Sequence, residues 1–158
     1  MMQRQWQQWQ RWVIVGVAVL LCWLGSPNVA WAGINDDNYD GNIFALYAGN
    51  GALVPPRVSI AQSLKQGKPT LVTFFVDDSA DCKQFSSVIS QLQAPYGRAA
   101  NFIPIMADSI PVKDDFEPTE PGYYFSGAVP QTLVLDEDGT VRFDETGTVS
   151  YEASDDVM

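Results

Sequence analysis

Seven residues, Thr70–Val76 (TLVTFFV), restrict this chain more than any other stretch. A near-continuous apolar run of that length, rich in β-branched and aromatic residues, is a strand buried on both faces of a central sheet. It leads through the acidic turn Asp77-Asp78-Ser79 into a segment where Phe85, Val88, Ile89 and Leu92 follow the i, i+3, i+4, i+7 spacing of a core-facing helix. That spacing predicts a helix over 80–93, with Cys82 on its buried side. A second buried strand is expected at Asn101–Ala107 (NFIPIMA) and a hairpin at Thr132–Leu135 and Thr140–Phe143 around Asp138-Gly139. Ser59 and Gln62 form a capping box for a helix that Gly67 closes, with Ile60, Ala61 and Leu64 on its apolar side. Ser150 onward starts a last helix, and Ile43–Gly49 (IFALYAG) reads as a first strand. Pro111, Pro118 and Pro121 oppose a long helix between the second strand and the hairpin. The order of elements is that of one α/β domain from residue 43 to 158.

The first 32 residues are of another kind. Arg4 and Arg11 are their only charges, followed by the apolar run Val13–Leu24 and the small-x-small site Ala30-Trp31-Ala32. This describes a secretory signal peptide cut after Ala32. The alternative is an uncleaved anchor, with residues 6–32 holding the protein on the membrane and Trp6, Trp9 and Trp12 at the interface. Leu21 before Cys22 is too large for a lipoprotein site. Either way the body of the protein is exported. Gly33–Asn42 (GINDDNYDGN) is polar and acidic and reads as a mobile leader.

Beyond residue 32, seven Lys/Arg face nineteen Asp/Glu, a net charge of −12. Such a surface repels nucleic acid and anionic lipid headgroups. The chain has no histidine, which removes the commonest metal ligand and general base. It keeps one cysteine after residue 32, so no disulfide can form within that part. Acidic groups at Asp77, Asp78 and Asp81, and at Asp136, Glu137 and Asp138, suit helix caps and turns better than a cation site and fit no EF-hand spacing. No metal and no cofactor is expected.

A buried strand, a short turn and a helix with cysteine in its first turn form the layout of a redox site, which should carry C-x-x-C. Here the motif is Ser79-Ala80-Asp81-Cys82. Serine cannot replace the attacking thiol without a base, and Asp77, Asp78 and Asp81 oppose a thiolate at Cys82, with Lys83 offsetting them only in part. Cys82 is therefore read as an inert buried thiol, and as a catalytic residue only if it is exposed.

The chain resembles the thioredoxin-like family from about Ile43 to its end, a central mixed sheet flanked by helices. The resemblance rests on LVTFFVDDSADCKQF, on GAVPQTLVLDEDGTV and on the capped last helix. It implies a cis bond at Val129-Pro130, facing the cysteine turn. The family's second cysteine falls on Cys82 and its lysine on Lys83. Its attacking cysteine falls on Ser79, its tryptophan on Asp78, its proline on Asp81 and its buried aspartate on Thr73. The stretches DGNIFALYAGNGALVPPRVS, FVDDSADCKQF and FIPIMADSIP are similar to an exported cyanobacterial subgroup of that family. The resemblance implies a thylakoid location, in the lumen or on the periplasmic side, and a link to photosystem I accumulation through a membrane-protein or assembly partner. With the chemistry removed, a peptide groove is expected from Ser79, Asp78, Asp81, Val129, Pro130, Tyr123 and Tyr124. A non-catalytic binding or assembly factor is the first expectation, and a one-thiol oxidoreductase or redox sensor at Cys82 the alternative.

Overall fold

The computed structural model describes residues 12–13, 15–17 and 33–158. Residues 12–13 and 15–17 are helical and exposed. The signal peptide or anchor at 1–32, its cut after Ala32, and Cys22 otherwise lie outside the described residues. No helix among the described residues is long and apolar enough to cross a membrane.

The central strand, β1 (Thr70–Phe75), has all six residues buried. It pairs in parallel with β2 (Asn101–Met106) and antiparallel with β3 (Gln131–Leu135), which carries β4 (Val141–Thr146) on its far side. The sheet order is β2-β1-β3-β4. Alternation along β1 sends Leu71 and Phe75 to one face and Val72 and Phe74 to the other. On the first face lie α1 (Ile43–Leu46), α3 (Ala80–Tyr96) and α5 (Tyr151–Asp155), with Ile43, Phe44, Phe85, Ile89 and Leu92 forming the core. On the second lie α2 (Ile60–Gln66) and the short α4 (Pro121–Tyr124).

Local rules explain most boundaries. Ser59 and Gln62 exchange both bonds of the capping box, and Gly67 ends α2 at φ 59°. Ser150 accepts from the Ala153 amide to start α5. The hairpin turn is held by Asp136, whose carboxylate accepts from the Asp138 and Thr140 amides and from Arg142 Nε. Pro104 sits within β2, at the sheet's edge, where a missing N–H is tolerated. The Val129-Pro130 bond is cis, as the resemblance implies, and so is Val54-Pro55.

Two expectations are corrected. Ile43–Gly49 is not a strand. Asn42 caps a four-residue helix there by accepting from the Ala45 amide, and the Ile43 amide donates to Asp77 at 3.1 Å. Ile43 and Phe44 are both buried although adjacent, which a helical turn permits and a half-buried strand does not. The long helix runs to Tyr96 rather than Gln93, with Pro95 in its last turn.

Candidate functional site

At the N-terminus of α3, Ser79 is the cap residue and its hydroxyl accepts from the Cys82 amide at 3.4 Å. Serine performs here the task this residue type performs at most helix starts. Cys82 points into the α1–α3 core and is 1% exposed. Burial pushes its thiol pKa up, and the charges of Asp81 and Asp78 add to this against the opposing pull of Val76 and Ser79. The thiol is therefore held neutral and away from solvent.

The position of the family's buried aspartate holds Thr73, which shares the α3-facing side of β1 with Leu71 and Phe75. Its hydroxyl is buried without a hydrogen-bond partner among the described residues, as is that of Thr132, its register partner on β3. Neither can move a proton at neutral pH. Asp77 is buried too, and burial raises its pKa against the Ile43 amide bond that favours the anion. It is engaged in fixing α1, while Asp78 and Asp81 are exposed.

The adjacent residue carries the densest polar contacts in the described chain. Lys83 is 0% exposed, and its ammonium donates to Gly33 O (3.2 Å), Asp36 O (2.9 Å), Asp36 Oδ1 (3.1 Å), Asn38 O (2.6 Å) and Asp40 Oδ2 (3.0 Å). Tyr47 donates its hydroxyl to the same Asp40 oxygen and lays its ring 5.5 Å from the ammonium. Burial alone would depress the lysine, but Asp40 and Asp36 outweigh it and hold its pKa above the ordinary value. Asp36 is in turn held below the usual carboxylate range, first by the Asn38 amide and then by Lys83. Asp37 accepts from the Ala80 amide at 2.8 Å, and Gln84 donates to Asn35. The acidic stretch expected to be a mobile leader is thus strapped over the first turn of α3. A carboxylate occupies the helix pole where a thiolate would gain its stabilisation.

The strap was hidden because its anchor lies some 45 residues away in sequence. A signal existed in α3. Lys83, Ser86 and Ser90 form a stripe of polar and small residues beside the apolar one, and Ser86 and Ser90 donate to Ile43 O and Ala48 O. Small residues at that spacing let another piece of chain approach closely.

The remaining groove candidates divide. Pro130 is buried, and Val129 packs on both core clusters at their seam. Tyr124 and Phe125 pack on the sheet face opposite Cys82, Phe125 with its ring 5.1 Å from Phe74. Tyr124 donates to Pro118 O, and Tyr123 stands 54% exposed, edge-on to it. Gln131, which sequence reasoning missed, ties this loop down. It is fully buried, donates to Tyr124 O and Asp144, and accepts from the Ser126 amide. A shallow cavity lies at the other end of α3, between Leu53, Arg57, Gln93 and Asn101. Among the described residues no cluster of three or more His, Cys, Asp or Glu is placed to hold a metal ion.

No family model matches the chain. It is 43% identical over 159 residues to a thylakoid membrane protein of Synechocystis sp., spanning 94% of this chain and 79% of that one. It is 28% identical over 90 residues to a thiol:disulfide interchange protein TxlA homolog of the same organism, spanning 57% of this chain and 47% of that one. Among solved structures, mitochondrial thioredoxin 3 of Saccharomyces cerevisiae aligns with a TM-score of 0.46 at 15% identity, over 61% of this chain and 83% of that one. A thioredoxin-2 of the malaria parasite aligns at 0.45 and 16%, over 55% and 77%. The β-α-β unit, the hairpin after a cis-proline and the capped last helix make the thioredoxin-like fold of this chain plain.

Proposed function

We propose a function that starts from family membership: the chain belongs to the family of the Synechocystis thylakoid membrane protein and is a thioredoxin-like thylakoid protein. On that footing the domain is a non-catalytic binding module that assists assembly of a membrane complex. It works on the exported side of the photosynthetic membrane, held by residues 6–32 where these are retained. The partner class is a membrane-protein subunit, with photosystem I as the complex whose accumulation it supports.

One observation carries the non-catalytic reading. The residue in the attacking position is a helix cap, and the remaining thiol is 1% exposed with its pKa raised. Disulfide reduction needs an exposed thiolate and a resolving thiol, and the described residues supply neither. The alternative, one-thiol chemistry at Cys82, draws on the partial likeness to a thiol:disulfide interchange protein.

The test is complementation. A strain lacking the protein should lose photosystem I, and a Cys82→Ala copy should restore it to the wild-type level. Failure of the Cys82→Ala copy, when it is expressed and folded, would move the function to the thiol. Unchanged photosystem I in the deletion strain would remove that complex as the target.

A further inference from the structure

The Gly33–Asp40 strap is held to α3 by the polar contacts at Lys83, Ala80 and Gln84. No residue from 33 to 42 is buried, and its two large apolar side chains, Ile34 and Tyr39, are 37% and 72% exposed. A segment with no fully buried apolar side chain belongs to the low-stability end of a fold and opens without the core. The chain after it is fixed independently: Ile43 is 0% exposed and its amide is held by Asp77. Between the two lies Gly41 at φ 122°, a conformation open to glycine, where the strap can swing away while α1 stays in place.

What the strap occupies is an ammonium and the positive pole of a 17-residue helix, and both select negative charge. What occupies them is acidic: Asp36 and Asp40 on Lys83, and Asp37 on the Ala80 amide. The fit is incomplete. The three N–H bonds of Lys83 are shared among five oxygens, and the second oxygen of Asp40 is buried with no partner among the described residues. Such a contact can be replaced by another extended segment that offers carboxylates at similar spacing.

We propose that Gly33–Asp40 is an autoinhibitory strap, an in-chain ligand covering the Lys83–α3 surface, and that an extended acidic peptide of a partner displaces it. This rests on the domain being a binding module and names the regulation and the ligand chemistry of its site. The net charge of −12 beyond residue 32 opposes the approach of such a peptide at low ionic strength, so association quickens as salt is added up to physiological levels.

The experiment compares the full chain with a doubly substituted one, Asp36→Asn with Asp40→Asn. Native-state lysine acylation is read by mass spectrometry, with the exposed Lys65 and Lys68 as internal standards. In the wild type Lys83 should react at least about 30-fold more slowly than Lys65, and in the variant within about fivefold of it. A labelled synthetic peptide of residues 33–42 should bind the variant saturably, bind the wild type at least about tenfold more weakly, and lose binding when its three aspartates become asparagine. A variant whose Lys83 stays as slow as in the wild type overturns the proposal, and so does a reactive Lys83 that takes no peptide.

Should the variant lose protection of its β1 amides, and so be unfolded, hydrogen exchange in the wild type decides. An Ala80 amide exchanging about tenfold or more faster than β1 amides supports a releasable strap, and equal protection overturns it. None of these readouts uses the thiol. Redox activity at Cys82 would therefore end the non-catalytic reading without touching the strap, and the reverse also holds.

Discussion

Cys82 and Lys83 are neighbours in the same helical turn, 1% and 0% exposed, and they are buried for opposite reasons. The thiol enters an apolar cluster that supplies no charge, so it stays a neutral thiol. The ammonium enters a cage of oxygens that the chain brings to it, so it stays charged. The comparison shows one helical turn burying two titratable side chains by opposite means, apolar packing for the thiol and ion pairing for the ammonium. The helix pole and the lysine that could activate a sulfur are here engaged with carboxylates of the same chain.

The largest effect should come from the charged neighbour. Lys83→Met leaves Asp36 and Asp40 facing an apolar side chain, so the strap should detach and, with the core still folded, the melting temperature fall by about 5 °C. Scanning calorimetry checks this, and an unchanged melting temperature would mean the cage contributes nothing. The thiol should matter less. Cys82→Ala should cost about 1 kcal/mol through lost packing, and Cys82→Ser somewhat more because it buries a hydroxyl. Denaturant titration of both variants would reveal the wrong order if serine were the milder change. Thr73→Val should have the reverse sign, gaining about 1 kcal/mol by removing a buried hydroxyl that has no partner among the described residues. A loss of stability there would imply that Thr73 is bonded in solution.

Acid and base should separate the two neighbours further. Asp36 has a lowered pKa in the fold, so its contribution is present above the unfolded carboxylate value near 4 and fades as pH falls through the folded one. Lys83 has a raised pKa, so its contribution is full below the unfolded value near 10.4 and fades as pH rises through the folded one. Asp77, raised by burial, runs the other way and favours the fold slightly as it protonates. Protection of the Ala80 amide should therefore plateau between roughly pH 5 and 10 and fall outside that range before β1 amides do. Protection that is flat across both edges would separate the strap from these charges.

How much of this was readable in the residues follows from the range of each interaction. β1 and α3 were legible because one apolar run and one 3.6-residue stripe decide them locally. The Ser59–Gln62 box, the Asp138-Gly139 turn and the Ser150 cap were legible because three or four residues suffice. The Ser79 substitution was legible from motif spacing alone. The strap was not, because a polar, acidic segment looks solvated until its partner is known, and that partner is a lysine that composition assigns to the surface. The α1 helix was missed for a related reason: Ile43 is held by Asp77 from across the fold, and four residues carry too little periodicity to separate helix from strand.

The reactivity of Cys82 in the folded protein decides most directly whether its thiol is inert. Its rate of alkylation at neutral pH should be at least about 100-fold below that of a free thiol and should rise only when denaturant opens the α1–α3 core. A rate near that of a free thiol in the native protein, rising with pH through a midpoint below the ordinary thiol value of about 8.5, would contradict the inert reading.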